Sequence, residues 1–128
     1  MKEHQVIISL ASNENQEANL SKAREQLTQL LKEAYFTSAI WTIPIDHPPL
    51  TIGHGQSKKY LNQLCRGTTA FGANLLSEVL KETEKRIGRT HNEDGIVAID
   101  LDLLQYDNQR YHLRDWDRNY VKDLLIEL

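Results

Sequence analysis

The sequence contains a single cysteine, Cys65, so no intramolecular disulfide can form, and its place in an apolar stretch marks it as a small core residue. No apolar run approaches the roughly 18–20 residues that a membrane-crossing helix needs. The opening MKEHQVIISLASNENQ also lacks the long apolar core and small-residue cleavage site of a signal peptide. These absences predict a cytoplasmic protein with no membrane partner. Basic charge is not in excess either: Lys and Arg number 15 against 18 Asp and Glu, a net charge of −3. That balance argues against a general nucleic-acid binder, which displays a basic surface to neutralise phosphates. A small anionic ligand remains compatible with it, given a few local cations or a metal. Repeats, low-complexity tracts and charge blocks are missing as well. What is present is 40% hydrophobic content over 128 residues, enough for one globular domain, 1–128, with a sizeable core.

The chain reads as alternating strands and helices. Gln5 to Ala11 is a short β-branched run that ends at Ser12, Asn13 and Asn15, a strand leading into a helix. Leu20, Ala23, Leu27, Leu30, Leu31 and Ala34 then recur at helical spacing, which predicts a helix over 16–34. Tyr35 to Ile43 is β-prone and stops at Pro44. Residues 44–59 hold all three prolines, two of the six glycines and His47 and His54, with no usable period. They read as a long loop, and its two histidines lack a third ligand at a recognisable spacing.

Tyr60 to Thr69 reads as a strand, bent or bulged near Gly67. A helix over 70–87 follows, capped by Thr68 or Thr69, buried along Leu75, Leu76, Val79, Leu80, Thr83 and Ile87, and stopped by Gly88. On its solvated face, Lys81, Lys85 and Arg86 are expected to pair with nearby glutamates at i,i+4. Arg89 to Gly95 is a polar loop, Tyr106 to Tyr111 supplies a hairpin turn, and 119–128 forms a closing helix. The order β-α-β-β-α-β with a hairpin strand and helix added predicts an α+β, ferredoxin-like sandwich: an antiparallel sheet with two helices on one face.

The stretch that organises the rest is IVAIDLDLL, 96–104. As a strand it places Val97, Ile99, Leu101 and Leu103 on one face and Ala98, Asp100 and Asp102 on the other. Side chains two apart on a strand lie roughly 7 Å apart at Cα. That spacing suits two carboxylates converging on hard divalent cations, which take oxygen ligands. An ordinary solvated sheet face gives the same alternation and is the reading the alternation alone favours, so metal binding needs support from elsewhere in the chain.

Several short motifs then occur in one order. Ala11 to Asn13 resembles a Gly-Ser-Asn after the first strand, Trp41 to Pro44 an aromatic-x-Thr-Pro, and Tyr60 to Asn62 a Tyr-Leu-Asn. Glu84 with Gly88-Arg89 resembles a Glu and Gly-Arg at the end of the second helix, and Asp100 to Leu104 an Asp-Leu-Asp-hydrophobic signature. Together they resemble the 6-hydroxymethyl-7,8-dihydropterin pyrophosphokinases of folate synthesis. Those transferases move pyrophosphate from ATP to a pterin alcohol with two Mg²⁺ ions.

The resemblance implies that Asp100 and Asp102 bind the metals, and that Ile43, Pro44, Tyr60 and Asn62 receive the pterin. It also implies that Glu84 and Arg89 lie on the nucleotide side and that Arg89 and His91 serve the transfer itself. Such chemistry asks the protein mainly for positioning and charge neutralisation. The chain departs from the family pattern at His91, in place of a second Arg, and at Val97, in place of the last one. The loop before the acidic strand is short and has no Trp, and the family's Pro-His motif has no clean counterpart near Arg114 to Asp117. These departures set a second reading beside the enzyme: a non-catalytic module that binds a ligand or a protein partner. His91 and His112 also read simply as surface histidines, Trp41 and Trp116 as packing residues, and Arg89 as a charge suited to a helix C-terminus.

Overall fold

The β-branched residues after His4 make β1 (His4–Ser12) the centre of the sheet, with Val6, Ile8 and Leu10 buried at alternate positions. The computed structural model describes residues 2–43, 59–88 and 95–128. Pro44, His47, His54, Arg89 and His91, all singled out above, lie outside the described residues. Helix α1 (Gln16–Leu30) buries Leu20, Ala23 and Leu27 against the sheet. It ends four residues earlier than its spacing suggests. The reason is that β2 (Lys32–Phe36) already pairs with the later strand β4 (Tyr60–Thr69), so Ala34 joins the core from a strand.

The β-prone stretch expected as one strand is two. β2 and β3 (Ile40–Thr42) pair with successive parts of β4 and are separated by Thr37 to Ala39. Thr37 accounts for the break. Its N–H bonds Leu64 O at 2.9 Å, its Oγ1 accepts the Leu64 N–H at 3.0 Å, and its own carbonyl accepts from Gln63 Nε2 at 2.6 Å. The irregularity expected near Gly67 lies on one side of the strand: the β1–β4 register runs unbroken from His4↔Thr69 to Ser12↔Leu61, but the β2–β4 register shifts opposite Gly67, between Lys32↔Thr68 and Tyr35↔Arg66, where Glu33 has a positive φ of 54°. Gly67 also serves close approach: a Cβ there would meet Leu31 Cδ1 at 3.0 Å and Lys32 O at 3.1 Å.

Helix α2 (Ala73–Ile87) starts after Gly72 rather than after a threonine cap, because Thr69 Oγ1 is already bonded to the Phe71 N–H at 3.0 Å. Its buried stripe is Leu76, Leu80, Thr83 and Glu84, while Leu75 faces outward. The acidic strand, β5 (Asp100–Tyr106), begins later than its alternation suggests and turns at Asp107-Asn108 into β6 (Gln109–Arg110). The sheet order is β2-β4-β1-β5-β6, with β3 also on β4, and every pairing is antiparallel. This is the ferredoxin-like α+β arrangement.

Two apolar clusters fill the sheet's two faces. Ile99, Leu101 and Leu103 join Val6, Ile8, Leu10 and the stripes of α1 and α2, and Cys65 sits among them with its thiol pushed up to about 12 by burial. Leu104 has the opposite parity. It packs with Leu64 of β4 and with Trp116, Val121 and Leu124, the buried residues of α3 (Leu113–Trp116) and α4 (Asn119–Leu125). Each fully buried side chain of this size contributes about 1.5–3 kcal/mol. The C-terminal segment therefore covers part of the face expected to lie open, and leaves the Asp100 and Asp102 end exposed to a cavity.

Candidate functional site

Strand register gathers the candidate residues. Ala11 pairs with Asn62 on one side and with Asp100 on the other, so Asn62, Ala11 and Asp100 form one row across three strands. Ser9 pairs with Asp102 one row along. Neighbouring strands lie about 4.8 Å apart, so the Asn62 and Asp100 backbones stand roughly 10 Å from one another. These residues floor a cavity of about 750 Å³. Thr42, Ile43 and Tyr60 form one wall, and Arg114, Arg118 and Tyr120 of the C-terminal segment form the other. Its size falls within the range typical of small-molecule sites.

Asn62 is buried, and its Nδ2 donates to Thr42 Oγ1 at 2.8 Å and to Ile40 O at 3.1 Å. Those bonds fix the side-chain amide against β3. Asn13, also buried, holds the approach to β5. Its N–H and Oδ1 bond Val97 O and Val97 N–H at 2.9 and 2.6 Å, and its Nδ2 donates to Gly95 O at 2.8 Å. Asn13, the residue after β1, thus ties the segment 95–97 to that strand. Val97 itself is buried.

Asp100 and Asp102 face the cavity from alternate positions of β5. Burial, and next the negative charge of Asp102, push the Asp100 carboxyl up to about 7. Lys81 is not merely part of a solvated helix face. Its Nζ lies 2.9 Å from Glu84 Oε2, 3.2 Å from Asp102 Oδ1 and 3.8 Å from Asp100 Oδ1, and donates to Leu101 O at 3.1 Å. Burial opposes its charge, but the Glu84 hydrogen bond and the nearby carboxylates outweigh that and raise its pKa. Glu84 is only 2% exposed, and its Oε2 also accepts the Leu101 N–H at 2.7 Å. Further along the helix, Lys85 pairs with Glu82 at i,i+3 rather than i,i+4.

The C-terminal wall carries residues that no motif in the sequence marks. Arg114, Asp115, Asp117, Arg118, Tyr120 and Asp123 all line the cavity, and Arg118 Nε lies 3.4 Å from Asp115 Oδ1. His112 Nε2 stands 3.9 Å from Asp102 Oδ1. Trp116 packs this segment down, with Arg110 over its ring at 4.0 Å and its Nε1 bonded to Tyr111 O at 3.1 Å. One signal was available. Leu104 shares the parity of Asp100 and Asp102, and an apolar residue on the acidic face requires a cover.

Five aspartates against two arginines leave the described lining strongly negative, so an anionic ligand there needs added cations. Among the described residues no group of three or more His, Cys, Asp or Glu forms a ready-made metal cage. A pair of carboxylates without a cage is what Mg²⁺ accepts, since it commonly binds one or two carboxylates and completes its shell with water and phosphate oxygens.

Fold and cavity together define an α+β protein of the ferredoxin-like class with an acidic cleft at one end of its sheet. In comparison with protein families, the chain matches the 7,8-dihydro-6-hydroxymethylpterin-pyrophosphokinase model over residues 7–128, and it belongs to that family. It is also 28% identical over 134 residues to the folate synthesis bifunctional protein of Arabidopsis thaliana. That match takes in 97% of this chain and 27% of the plant protein's length. Among the described residues, no helix is long and apolar enough to cross a membrane.

Proposed function

We propose that this chain, as a single domain in the cytoplasm, transfers pyrophosphate from ATP to 6-hydroxymethyl-7,8-dihydropterin for folate synthesis. The observation that carries the reading is the row Asn62–Ala11–Asp100, which puts an amide suited to a heterocycle and a carboxylate suited to a cation on one cavity floor. With Nδ2 held by Thr42 and Ile40, Asn62 offers its Oδ1 to the N–H groups of a pterin. Tyr60 and Ile43 flank that end, together with Pro44 by resemblance.

At the other end Asp100 and Asp102 hold Mg²⁺, whose hard oxygen preference their carboxylates meet. When bound, the metal supplies charge neutralisation on the phosphate oxygens. Arg114 and Arg118 face the same space and add positive charge, and the family resemblance keeps Arg89 and His91 beside the phosphates. Glu84 serves the nucleotide side as a positioning residue, through Lys81 and the Leu101 N–H. In the transfer, the pterin hydroxyl oxygen bonds to the β-phosphorus as the bond to the α-phosphate oxygen breaks. The hydroxyl proton is lost and AMP leaves.

The buried Val97, standing where the family carries an arginine, favours a second reading in which the cleft binds ligand without turning it over. One experiment separates the two. ATP and Mg²⁺ are incubated with the protein, with and without the hydroxymethyl pterin, and AMP is measured. Pterin-dependent AMP that falls by about 10²–10³ in Asp100→Ala and Asp102→Ala supports the transferase. Calorimetric binding of Mg²⁺ with a non-hydrolysable ATP analogue, in the absence of any AMP formation, supports the binding module. Unchanged turnover in both variants overturns the assignment of the carboxylates.

A further inference from the structure

Another cavity, of about 410 Å³, opens on the same sheet face, at the end of β1 and β4 away from the acidic cleft. It shares no lining residue with the larger cavity, and helix α4 stands between them: Tyr120 and Asp123 line the larger one, Leu125 this one. Its floor is built where Thr68 pairs with Gln5 and Arg66 with Ile7. Ile7, Leu125 and Leu128, which border the apolar cluster beneath α4, form one wall. Arg66 and Glu33 are the only charged residues in the described lining, so this cavity is neutral where the cleft is acidic. Glu33 reaches it through a backbone irregularity. Of the two residues in the β2–β4 register shift, Ala34 turns into the core, and Glu33 takes a left-handed φ of 54° that is uncommon outside glycine.

The two charges line one cavity and are not paired with each other. Arg66 lies over the Tyr35 ring at 4.8 Å and forms no ion pair among the described residues. Glu33 forms none either, and the ammonium of its neighbour Lys32 is held by Glu3 at 2.7 Å. In the floor, Thr68 Oγ1 is buried with no partner among the described residues, although buried hydroxyls are normally paired. We propose that this cavity binds a free apolar α-amino acid, with its carboxylate on Arg66, its ammonium on Glu33 and its side chain against Ile7, Leu125 and Leu128. The chemistry matches group by group. A guanidinium fork fits a carboxylate, and an ionised carboxylate accepts from an ammonium. A phosphate ester would gain Arg66 and be repelled by Glu33, and a simple amine would meet the reverse, so the pair selects a zwitterion. This site is independent of the chemistry assigned to the acidic cleft.

The test is a titration of the intact, isotope-labelled chain with L-leucine, followed by nuclear magnetic resonance at the backbone amides of Gly67, Thr68 and Leu125. These signals should shift saturably in the wild type and equally in Asp100→Asn/Asp102→Asn. Arg66→Gln and Glu33→Gln should each weaken binding about tenfold, the loss of one charge-assisted contact. On the wild type, isocaproate, which lacks the ammonium, and isoamylamine, which lacks the carboxylate, should bind weaker by a similar factor. Arg66→Gln should leave the affinity for isoamylamine as it was. The absence of saturable shifts at these amides would overturn the proposal, as would equal binding by both charge variants and the wild type. Analogues that bind as tightly as L-leucine would show an apolar groove without charge recognition, and shifts lost in the double aspartate variant would place the amino acid in the cleft. Either result overturns the proposal, and the analogues decide it on the wild type even if a variant fails to fold.

Discussion

Glu84 Oε2 accepts the backbone N–H of Leu101 at 2.7 Å, so a helix carboxylate is bonded to β5 at the residue lying between Asp100 and Asp102. The bond ties the spacing of the two aspartates to helix α2. Glu84→Ala should cost about 2–3 kcal/mol in urea unfolding, because it removes a charge-assisted bond and strands the buried Leu101 N–H. Glu84→Gln keeps an acceptor and should cost less. The same stability for Glu84→Ala and wild type would show that the bond contributes nothing.

Asp100 should make the metal-free protein sensitive to pH. Its carboxyl is raised to about 7 in the folded state, so folding favours the protonated form. The unfolded chain loses this proton near pH 4, and stability should fall as pH rises from there through about 7. Asp100→Asn removes the slope. Divalent-ion affinity should run the other way, rising through the same window as the proton leaves. Denaturation and Mn²⁺ titrations at pH 5, 6, 7 and 8 check both signs.

Asn13 is expected to matter for binding as well as for stability. Asn13→Ala deletes the side-chain bonds to Val97 N–H and Gly95 O and should destabilise the fold by about 2 kcal/mol. Asn13→Asp keeps the acceptor for Val97 N–H and loses only the donor, so it should lie between. Ligand affinity measured below the melting temperature should follow the same order, since the segment 95–97 leads directly into the acidic strand.

Gly67→Ala tests the packing of the β4 end. The new methyl would meet Leu31 Cδ1 at 3.0 Å and the Lys32 carbonyl at 3.1 Å, and the backbone atom is slow to yield. A loss of about 1–3 kcal/mol is expected, with nucleotide affinity unchanged because the site lies at the other end of β4. A neutral result in thermal melts would mean that the α1–β2 junction shifts freely.

Periodicity carried much of the fold. Strand β1, strand β4, the helix before Gly88 and the hairpin at Asp107 all follow from local pattern, because for them local preference and tertiary packing agree. The parts that escaped depend on partners distant in sequence. Thr37 interrupts a β-prone run only because Leu64 and Gln63 of β4 satisfy it. Lys81 reads as a solvated helix residue until β5 is placed beneath it. The candidate site divides in the same way. Asp100, Asp102 and Asn62 are legible from strand alternation and motif resemblance, while Arg114, Arg118 and Tyr120 reach the cavity through short helices whose docking rests on Leu104, Val121 and Leu124.

Ala11 sits between Asn62 and Asp100 with the smallest side chain in the row. The distance between the two ends of the cleft is therefore set by two hydrogen-bonded strand spacings, about 10 Å in total, a backbone dimension that side-chain substitution hardly alters. The sheet acts as a fixed ruler. A ligand of matching length can touch amide and carboxylate at once, whereas a shorter or longer one must give up an end.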